Sequence, residues 1–553
     1  MNVMESEVRK CKSCGKESSI LPDSIVLYEK TGIPVPQECH VCIWKNLTAF
    51  WVFGKFRKTT SALSGKAIIT TFSEATPFPL YDYDEWMSDV WDPLAYGREY
   101  DPTRPFFEQY AEIQRKTPHP HRSGTMSTNC DWSDDAWSCK NCYLCRSMLN
   151  CEEVNYAYRT VNCKNSTDLT FCFDVERSYD CTYCFKSYKI RHSFDARDSM
   201  DGIFLHDCRN VKNCFMCWNL RNKQYCILNK QYSKEEYFEK MKGHRLNSRR
   251  EVEQLKKEFA DIVARDAVHR ADRNLKVANV TGNFLEECKN CRESYFAQKS
   301  ENSCYLLRGY EQREVVHAAG TIAENAALSM MDGYNYGTVA TSRCGNCRYS
   351  AYLEYCEECE YCFGCVGLRK KKYCILNKQY TESEYDNLVK KIKDQMIADG
   401  TWGTFFPYSL AYCGYNLSTG QMYFPETRES IEAKGGIWED IQDRAYEGIA
   451  GDEVPDVIDG VGDDFSKQAI ICPETKWRFN IAPQELAFYK EHGIPLPSRH
   501  PDKRNMERMK PLTVTTPYEG ICFFCSKPIV HYYPPEWGYK KIVCEECYQK
   551  EVL

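Results

Sequence analysis

Thirteen cysteines between residues 128 and 232 sit at intervals that are all multiples of three: Cys130, Cys139, Cys142, Cys145, Cys151, Cys163, Cys172, Cys181, Cys184, Cys208, Cys214, Cys217 and Cys226. Counted as about eight independent clusters, this spacing would arise by chance roughly once in two thousand. The other positions in the register include Ala136, Met148, Val154, Ala157, Leu169, Val175, Ile190, Ala196, Ser199, Leu205, Val211 and Leu220, and no charged residue enters before Lys223. One residue in three therefore faces a dry interior. An α-helix cannot hold that period over a hundred residues, because its face drifts at 3.6 residues per turn. A flat strand alternates at two. A narrow β-solenoid suits a period of three, with short sides and one inward side chain on each. Crowding between coils favours small residues, and cysteine behaves as a small buriable hydrophobe. Coils of nine, twelve or fifteen residues all fit parts of the pattern.

The arm is duplicated. CFMCWNLRNKQYCILNKQYSKEEY at 214–237 returns as CFGCVGLRKKKYCILNKQYTESEY at 362–385, and SCKNC at 138–142 returns as ECKNC at 287–291. The second arm follows the rule from Ala326 through Thr341, Cys344, Cys347, Leu353, Cys356, Cys359, Cys362, Cys365, Leu368 and Cys374. Asp332 and Lys371 intrude, and the stretch around 300–325 slips out of phase. Each arm ends in YCILNKQY followed by a capping-box signature, Ser233 with Glu236 and Thr381 with Glu384, which predicts a helix. Residues 248–270 place Val252, Leu255, Phe259, Ile262 and Val263 on one helical face.

The two ends are also copies. Residues 11–42 align without gaps on 472–503 at an offset of 461, which pairs Tyr28 with Tyr489 and GIPVP with GIPLP. At the same offset SGKAII at 64–69 falls on CSKPIV at 525–530. The N-terminal copy carries Cys11, Cys14, Cys39 and Cys42, where the C-terminal copy has Cys472, Thr475, His500 and Lys503. Conversely Cys522, Cys525, Cys544 and Cys547 answer to Ser61, Ser64, Tyr83 and Trp86. Each copy has kept the four-cysteine site that the other lost. Paired C-x-x-C turns place four thiolates round one metal, with Zn–S bonds of about 2.3 Å. Two closed zinc sites are expected, with a role in folding stability. Dense interior runs such as Cys139, Cys142 and Cys145, or Cys356, Cys359, Cys362 and Cys365, are where further metal would sit. Burial alone also explains them.

The expected organisation is a mainly β chain with α elements: two Cys-rich narrow β-solenoid arms with helical insertions, bracketed by duplicated zinc-ribbon-like modules. Its segments run 1–80 (N-terminal module), 81–127 (aromatic and acidic, packing across its own domain), 128–232 (first arm), 233–285 (helical), 286–380 (second arm), 381–465 (helix and linker) and 466–553 (C-terminal module). A net charge of −6 and a pI near 6.1 give no global reason to bind nucleic acid or an anionic membrane. The start MNVMESEVRK lacks an apolar h-region, and the repeated C-x-x-C spacing among 33 cysteines suits a reducing compartment, so a cytoplasmic protein is expected. HPH at 119–121 reads as an ordinary loop, and DVIDGVGDD at 456–464 lacks calcium-loop spacing. KRNMERMK at 503–510 reads as a solvated helix face, with contact to RNA or DNA phosphates as the alternative. No P-loop, dinucleotide fingerprint, nucleophile elbow or HExxH occurs, so no catalytic residue or organic cofactor site is assigned.

NCFMCWNLRNKQYCILNKQYSKEEY, EYCFGCVGLRKKKYCILNKQY, WDPLAYGREYDPTRPFFEQY, GTFFPYSLAYCGYN and CEECYQKEV resemble a family of long cysteine-rich proteins from ultrasmall uncultured bacteria. The resemblance covers nearly the whole chain and brings no established function. Some members carry a CaiB/BaiF CoA-transferase label, which implies an α/β enzyme with an aspartate nucleophile; the register of three contradicts that fold. The expected function is a zinc-binding, non-enzymatic scaffold presenting a Tyr-rich surface to a macromolecular partner. The alternatives are an enzyme or redox carrier using interior cysteines with zinc or an iron–sulfur cluster, and a nucleic-acid-binding zinc protein.

Overall fold

The computed structural model describes residues 7–440 and 447–553; the first six residues of MNVMESEVRK, and 441–446 within the linker region, lie outside that description. The fold mixes many β-strands with helices, in two compact units that are each discontinuous in sequence. Unit 1 joins Met1–Arg122 to Asp272–Asp440, and unit 2 joins Ser123–Ala271 to Ile441–Leu553. The N-terminal module thus shares a unit with the second Cys-rich arm, and the C-terminal module shares one with the first.

Each arm is a long sheet of short strands, thirteen-stranded in the first and twelve-stranded in the second. Pairing is parallel, mostly at an offset of twelve residues, as in Gly202↔Cys214, Cys214↔Cys226 and Cys362↔Cys374. Only the last pair in each arm is antiparallel. That pair is the YCILNKQY hairpin, whose turn residues Leu228 and Asn229, and Leu376 and Asn377, all take positive φ. The turn asparagine clamps the preceding strand: Asn229 bonds Trp218 N and O, and Asn377 bonds Val366 N and O. The sheet edge is thereby closed to strand addition. The helices Lys234–Met241 and Glu382–Ala398 follow, each with the expected capping box.

The period of three has a backbone cause. The residue before each inward position sits near φ +50°, as at Asn129, Asn141, Asn150, Asn162, Asp180, Asp207 and Asn213, each directly before a cysteine. Asn is the commonest occupant, because its short polar side chain tolerates the left-handed region that costs other residues about 1–2 kcal/mol. Bulky residues take it too, including Phe171, Arg177 and Lys186. Neighbouring backbone offsets the strain: left-handed Asn141 N donates to Thr128 O, and Lys140 N donates to Cys151 O, both at 2.9 Å.

At several inward positions the N–H is answered by the side chain twelve residues earlier, while Ser133 N and Ser294 N donate to the backbone carbonyls of Cys130 and Thr281. Ala157 N donates to Cys145 Sγ (3.3 Å), Ile190 N to Ser178 Oγ (3.1 Å), Cys347 N to Asn335 Oδ1 (2.9 Å) and Cys344 N to Asp332 Oδ1 (2.8 Å). Each thiol in turn donates to a carbonyl two residues back or nine ahead, as Cys145 does to Tyr143 O and Val154 O at 3.3 Å. An interior of valine alone would strand these N–H groups, at about 1–3 kcal/mol each. Cysteine, serine and threonine are small enough to fit and polar enough to answer. Asp332, an intruder by hydropathy, fills the same acceptor role.

The phase slip around 300–325 is a one-residue deletion. Inward positions run Cys288, Cys291, Ser294, Ala297, Ser300, Ser303 and Leu306 to Thr321, then resume one residue early at Ala323 and Ala326. Pairing there shifts to an offset of eleven, as in Val315↔Ala326 and Ala318↔Ser329. The pattern continues through the stretch in another phase.

The helix Arg249–Asp266 buries Val252, Leu255, Phe259 and Val263, as its periodicity predicts. In unit 1 the helix Phe106–Lys116 packs on the second arm, with Phe106 edge-on to Phe363 at 5.2 Å.

Candidate metal centres

The terminal modules are built from one local unit used four times: a short hairpin followed by a helix whose start lies beside the hairpin turn. In the first, the strands Glu7–Lys10 and Glu17–Ile20 flank a turn holding Cys11 and Cys14. Gly15 closes it at φ +70°, donating N–H to Cys11 O at 2.9 Å. Cys39 caps the helix His40–Ala49 and Cys42 lies in its first turn. In the fourth, Tyr518–Ile521 and Pro528–His531 flank Cys522 and Cys525, while Cys544 caps the helix Glu545–Val552 with Cys547 inside it.

All eight predicted ligands fall into these two sets, and within each set the four sulfurs lie within 4.8 Å of one another. Cys11 and Cys42 are 3.8 Å apart, Cys14 and Cys39 3.9 Å, and Cys525 and Cys544 3.7 Å. A tetrahedron with Zn–S bonds of about 2.3 Å has edges of about 3.8 Å, so both cages fit one thiolate-bound ion. Among the described residues no other group of three or more Cys, His, Asp or Glu comes as close. The interior cysteine runs therefore do not assemble a further cage.

Local electrostatics favour a thiolate at Cys39 and at Cys522, while Cys14, Cys42, Cys525 and Cys547 are raised above the usual thiol value. Helix starts attract negative charge. A hydrogen bond from Cys42 draws the Cys39 thiol down to about 4. Burial works against a Cys522 thiolate, but the backbone N–H groups of Cys525, Cys544 and Phe524 outweigh it and bring the thiol to about 6. Inside the arms burial pushes Cys208 up to about 12 and Cys145 well above the usual thiol range, whereas a bond from Cys217 draws Cys214 down to about 7. In the crowded row of the second arm burial again opposes ionisation, yet bonds from Cys347 and Cys356 leave Cys344 near 5, at 2% exposure. None of the 33 cysteines is in a disulfide.

The two units that lost their cysteines keep the fold with other crosslinks. In the third, Ala469–Ile471 and Arg478–Asn480 flank Cys472, and Lys503 at a lost ligand position pairs with Glu474 of the turn at 2.7 Å. In the second, Arg57–Thr60 and Ala67–Thr70 flank Ser61, whose hydroxyl donates to Glu85 at 2.5 Å, while Lys66 pairs with Asp82 at 3.0 Å. Ion pairs and hydroxyls bridge turn to helix where metal would otherwise do so.

The remaining sequence candidates are spent structurally. His119 and His121 are buried rather than in an open loop, and His119 stacks on Phe78 at 3.7 Å. Asp456 accepts from Ser248 Oγ and Arg250 N, helping to start the helix Arg249–Asp266. The segment 503–510 is not a solvated face: Arg504, Asn505, Arg508 and Met509 are buried against the first arm. Hydropathy could not reveal this, because the counter-charge, Asp168, lies far away in sequence. Sequence reading also missed the left-handed positions, although the recurring Asn-Cys and Asp-Cys pairs carry that signal. No described helix is long and apolar enough to cross a membrane.

No protein-family model and no curated protein matches the chain. A crystal structure of a candidate acetyltransferase from Desulfovibrio desulfuricans G20 aligns with 50% of this chain and 81% of its own, at 8% identity and a TM-score of 0.10. A likeness that slight carries no argument about fold or activity.

Proposed function

We propose that the protein is a zinc-binding, non-enzymatic scaffold in which each arm is a narrow β-solenoid. At twelve residues per coil and three per side, a coil has four sides, and each left-handed residue supplies a quarter turn. The single observation that carries the metal assignment is that the four sulfurs of each terminal set lie within 4.8 Å of one another, an all-sulfur donor set of the kind zinc prefers in structural sites. Interior thiols are engaged with backbone groups and sealed from solvent, which leaves them poor nucleophiles. A solenoid offers an extended surface to a partner. On the second arm Tyr349, Tyr361 and Tyr373 stack in a row at 5.2 and 5.5 Å, and Tyr334 is 66% exposed.

Metal analysis with thiol titration on anaerobically purified protein tests this reading. Two zinc ions per chain, eight metal-protected thiols and the rest reacting only after unfolding are expected. Metal well in excess of two per chain, or a brown iron–sulfur chromophore, would overturn it.

A further inference from the structure

Unit 2 contains a cavity of about 460 Å³ bounded by the first arm at Tyr179–His192, by the helix Arg249–Asp266 and by residues 495–508 of the C-terminal module. Six cationic side chains line it: Arg249, Lys256, Lys257, Arg499, Arg504 and Arg508. Three carboxylates face them and Asp168 behind the wall pairs with Arg504 and Arg508, so six minus four leaves a charge of +2, with His192 neutral, inside a chain of net charge −6. Those carboxylates are already committed. Asp180 pairs with Lys256 at 2.9 Å, Glu253 with Lys256 at 3.5 Å and Glu507 with Arg499 at 2.6 Å. Lys257 makes no ion pair among the described residues, and the buried Nε of Arg249 has no hydrogen-bond acceptor.

Arg504 and Arg508 also dock the module by pairing with Asp168 of the first arm, a task that apolar residues perform in unit 1. At the offset of 461, Arg499, Arg504 and Arg508 answer to Glu38, Ile43 and Leu47, and the N-terminal copy docks on its own arm with Ile43 and Leu47 buried. The cationic wall thus arose on the copy that gave up its metal ligands, next to the vacated positions His500 and Lys503.

We propose that this cavity binds a small phosphate-bearing polyanion. Guanidinium groups match phosphate oxygens with paired N–H donors, and the volume lies within the range of about 300–1,000 Å³ typical of small-molecule sites. Titration calorimetry of the full chain with inorganic pyrophosphate, at low ionic strength, tests it, with tricarballylate as the carboxylate control. One saturable site for pyrophosphate is expected, with weaker or no binding of tricarballylate. Lys257→Gln, at an exposed position outside any ion pair, should keep the fold and weaken pyrophosphate binding by about tenfold. Arg499→Gln should weaken it at least as much; if that variant does not fold, the Lys257 variant still decides. No saturable heat, unchanged affinity in Lys257→Gln, or equal affinity for tricarballylate would overturn the proposal.

Discussion

In unit 1 the helix His40–Ala49 lays Ile43, Trp44 and Leu47 against the second arm, and Trp44 Nε1 donates to Tyr305 O at 2.8 Å. In unit 2 the equivalent helix Pro501–Met509 lays Arg504, Asn505 and Arg508 against the first arm. There Arg508 Nη2 donates to Asp168 at 2.8 Å, and Arg504 Nε lies 3.1 Å from the other oxygen. The arm positions correspond as well. At the arm offset of 149, Asp168 answers to His317, which shares a 2.7 Å hydrogen bond with Tyr28. Tyr489, the counterpart of Tyr28, instead donates to Glu485 at 2.7 Å, and Tyr156 donates to the same carboxyl at 2.6 Å. One duplicated module thus docks on one duplicated arm through an apolar face in unit 1 and a charged one in unit 2. Shape and backbone direction set the docking; the side chains in the seam are exchangeable so long as every buried polar group finds a partner.

The largest expected effect is common to both units and tests their independence. Cys39→Ser and Cys544→Ser should each halve the zinc content. Each should also destabilise only its own unit, by an amount on the order of 10 kcal/mol at saturating metal. Hydrogen exchange measured by segment separates 7–122 and 272–440 from 123–271 and 447–553; loss of protection in both units from one substitution would break the comparison.

Next comes the seam. Asp168→Ala removes the ion-pair partner of buried Arg504 and leaves Arg508 with Asp180 and Thr170, and should cost unit 2 about 3–5 kcal/mol in denaturant unfolding. The triple variant Asp168→Leu/Arg504→Ile/Arg508→Leu imitates unit 1 and should recover most of that loss. If it remained as unstable as Asp168→Ala, the charged seam would have a role that apolar packing cannot replace.

The third effect is a pH dependence of the docking seam in unit 2. Burial raises the Glu485 carboxyl to about 7, against Arg504 and the tyrosine hydroxyls, which lower it. Its folded pKa is above the unfolded value, so the folded state holds the extra proton between about 4.3 and 7. Stability from this group is therefore complete below that window and falls by a few kcal/mol as pH rises through it. Glu485→Gln should flatten the fall, while unit 1, with Ser24 at the equivalent position, has no such group there.

Smaller effects probe what the arms share. Cys145→Ala removes the acceptor of Ala157 N and should cost about 1–3 kcal/mol, whereas Cys145→Ser keeps the bonds and should cost less. Lys186→Asn, at φ 46°, should stabilise the first arm by about 0.5–1 kcal/mol in thermal unfolding.

Much of the site was legible in the sequence. Gap-free duplication at 461 exposed both four-cysteine sets and the reciprocal losses, because ligand chemistry tolerates few residue types. The every-third register exposed the interior, because a dry core excludes charge. The capping boxes at Ser233 and Thr381 were legible for the same local reason. What stayed hidden depended on residues distant in sequence. The reading of 503–510 as solvated failed because Asp168 supplies the missing counter-charge from another element. The slip at 300–325 looked like decay because one deleted residue moves every later inward position into a new phase.

By itself, then, the sequence determined the inward register of the arms, which cysteines gather into two sets of four and where helices begin, since these follow from side-chain chemistry and short-range spacing. The tertiary structure alone decided that twelve residues separate paired strands, that the N-terminal module belongs with the second arm, and that cysteine serves the interior as a hydrogen-bonding residue as well as an apolar one. The physical reason is that strands pair, and many inward backbone N–H groups are answered, across the stack about twelve residues away, and no local pattern states that distance.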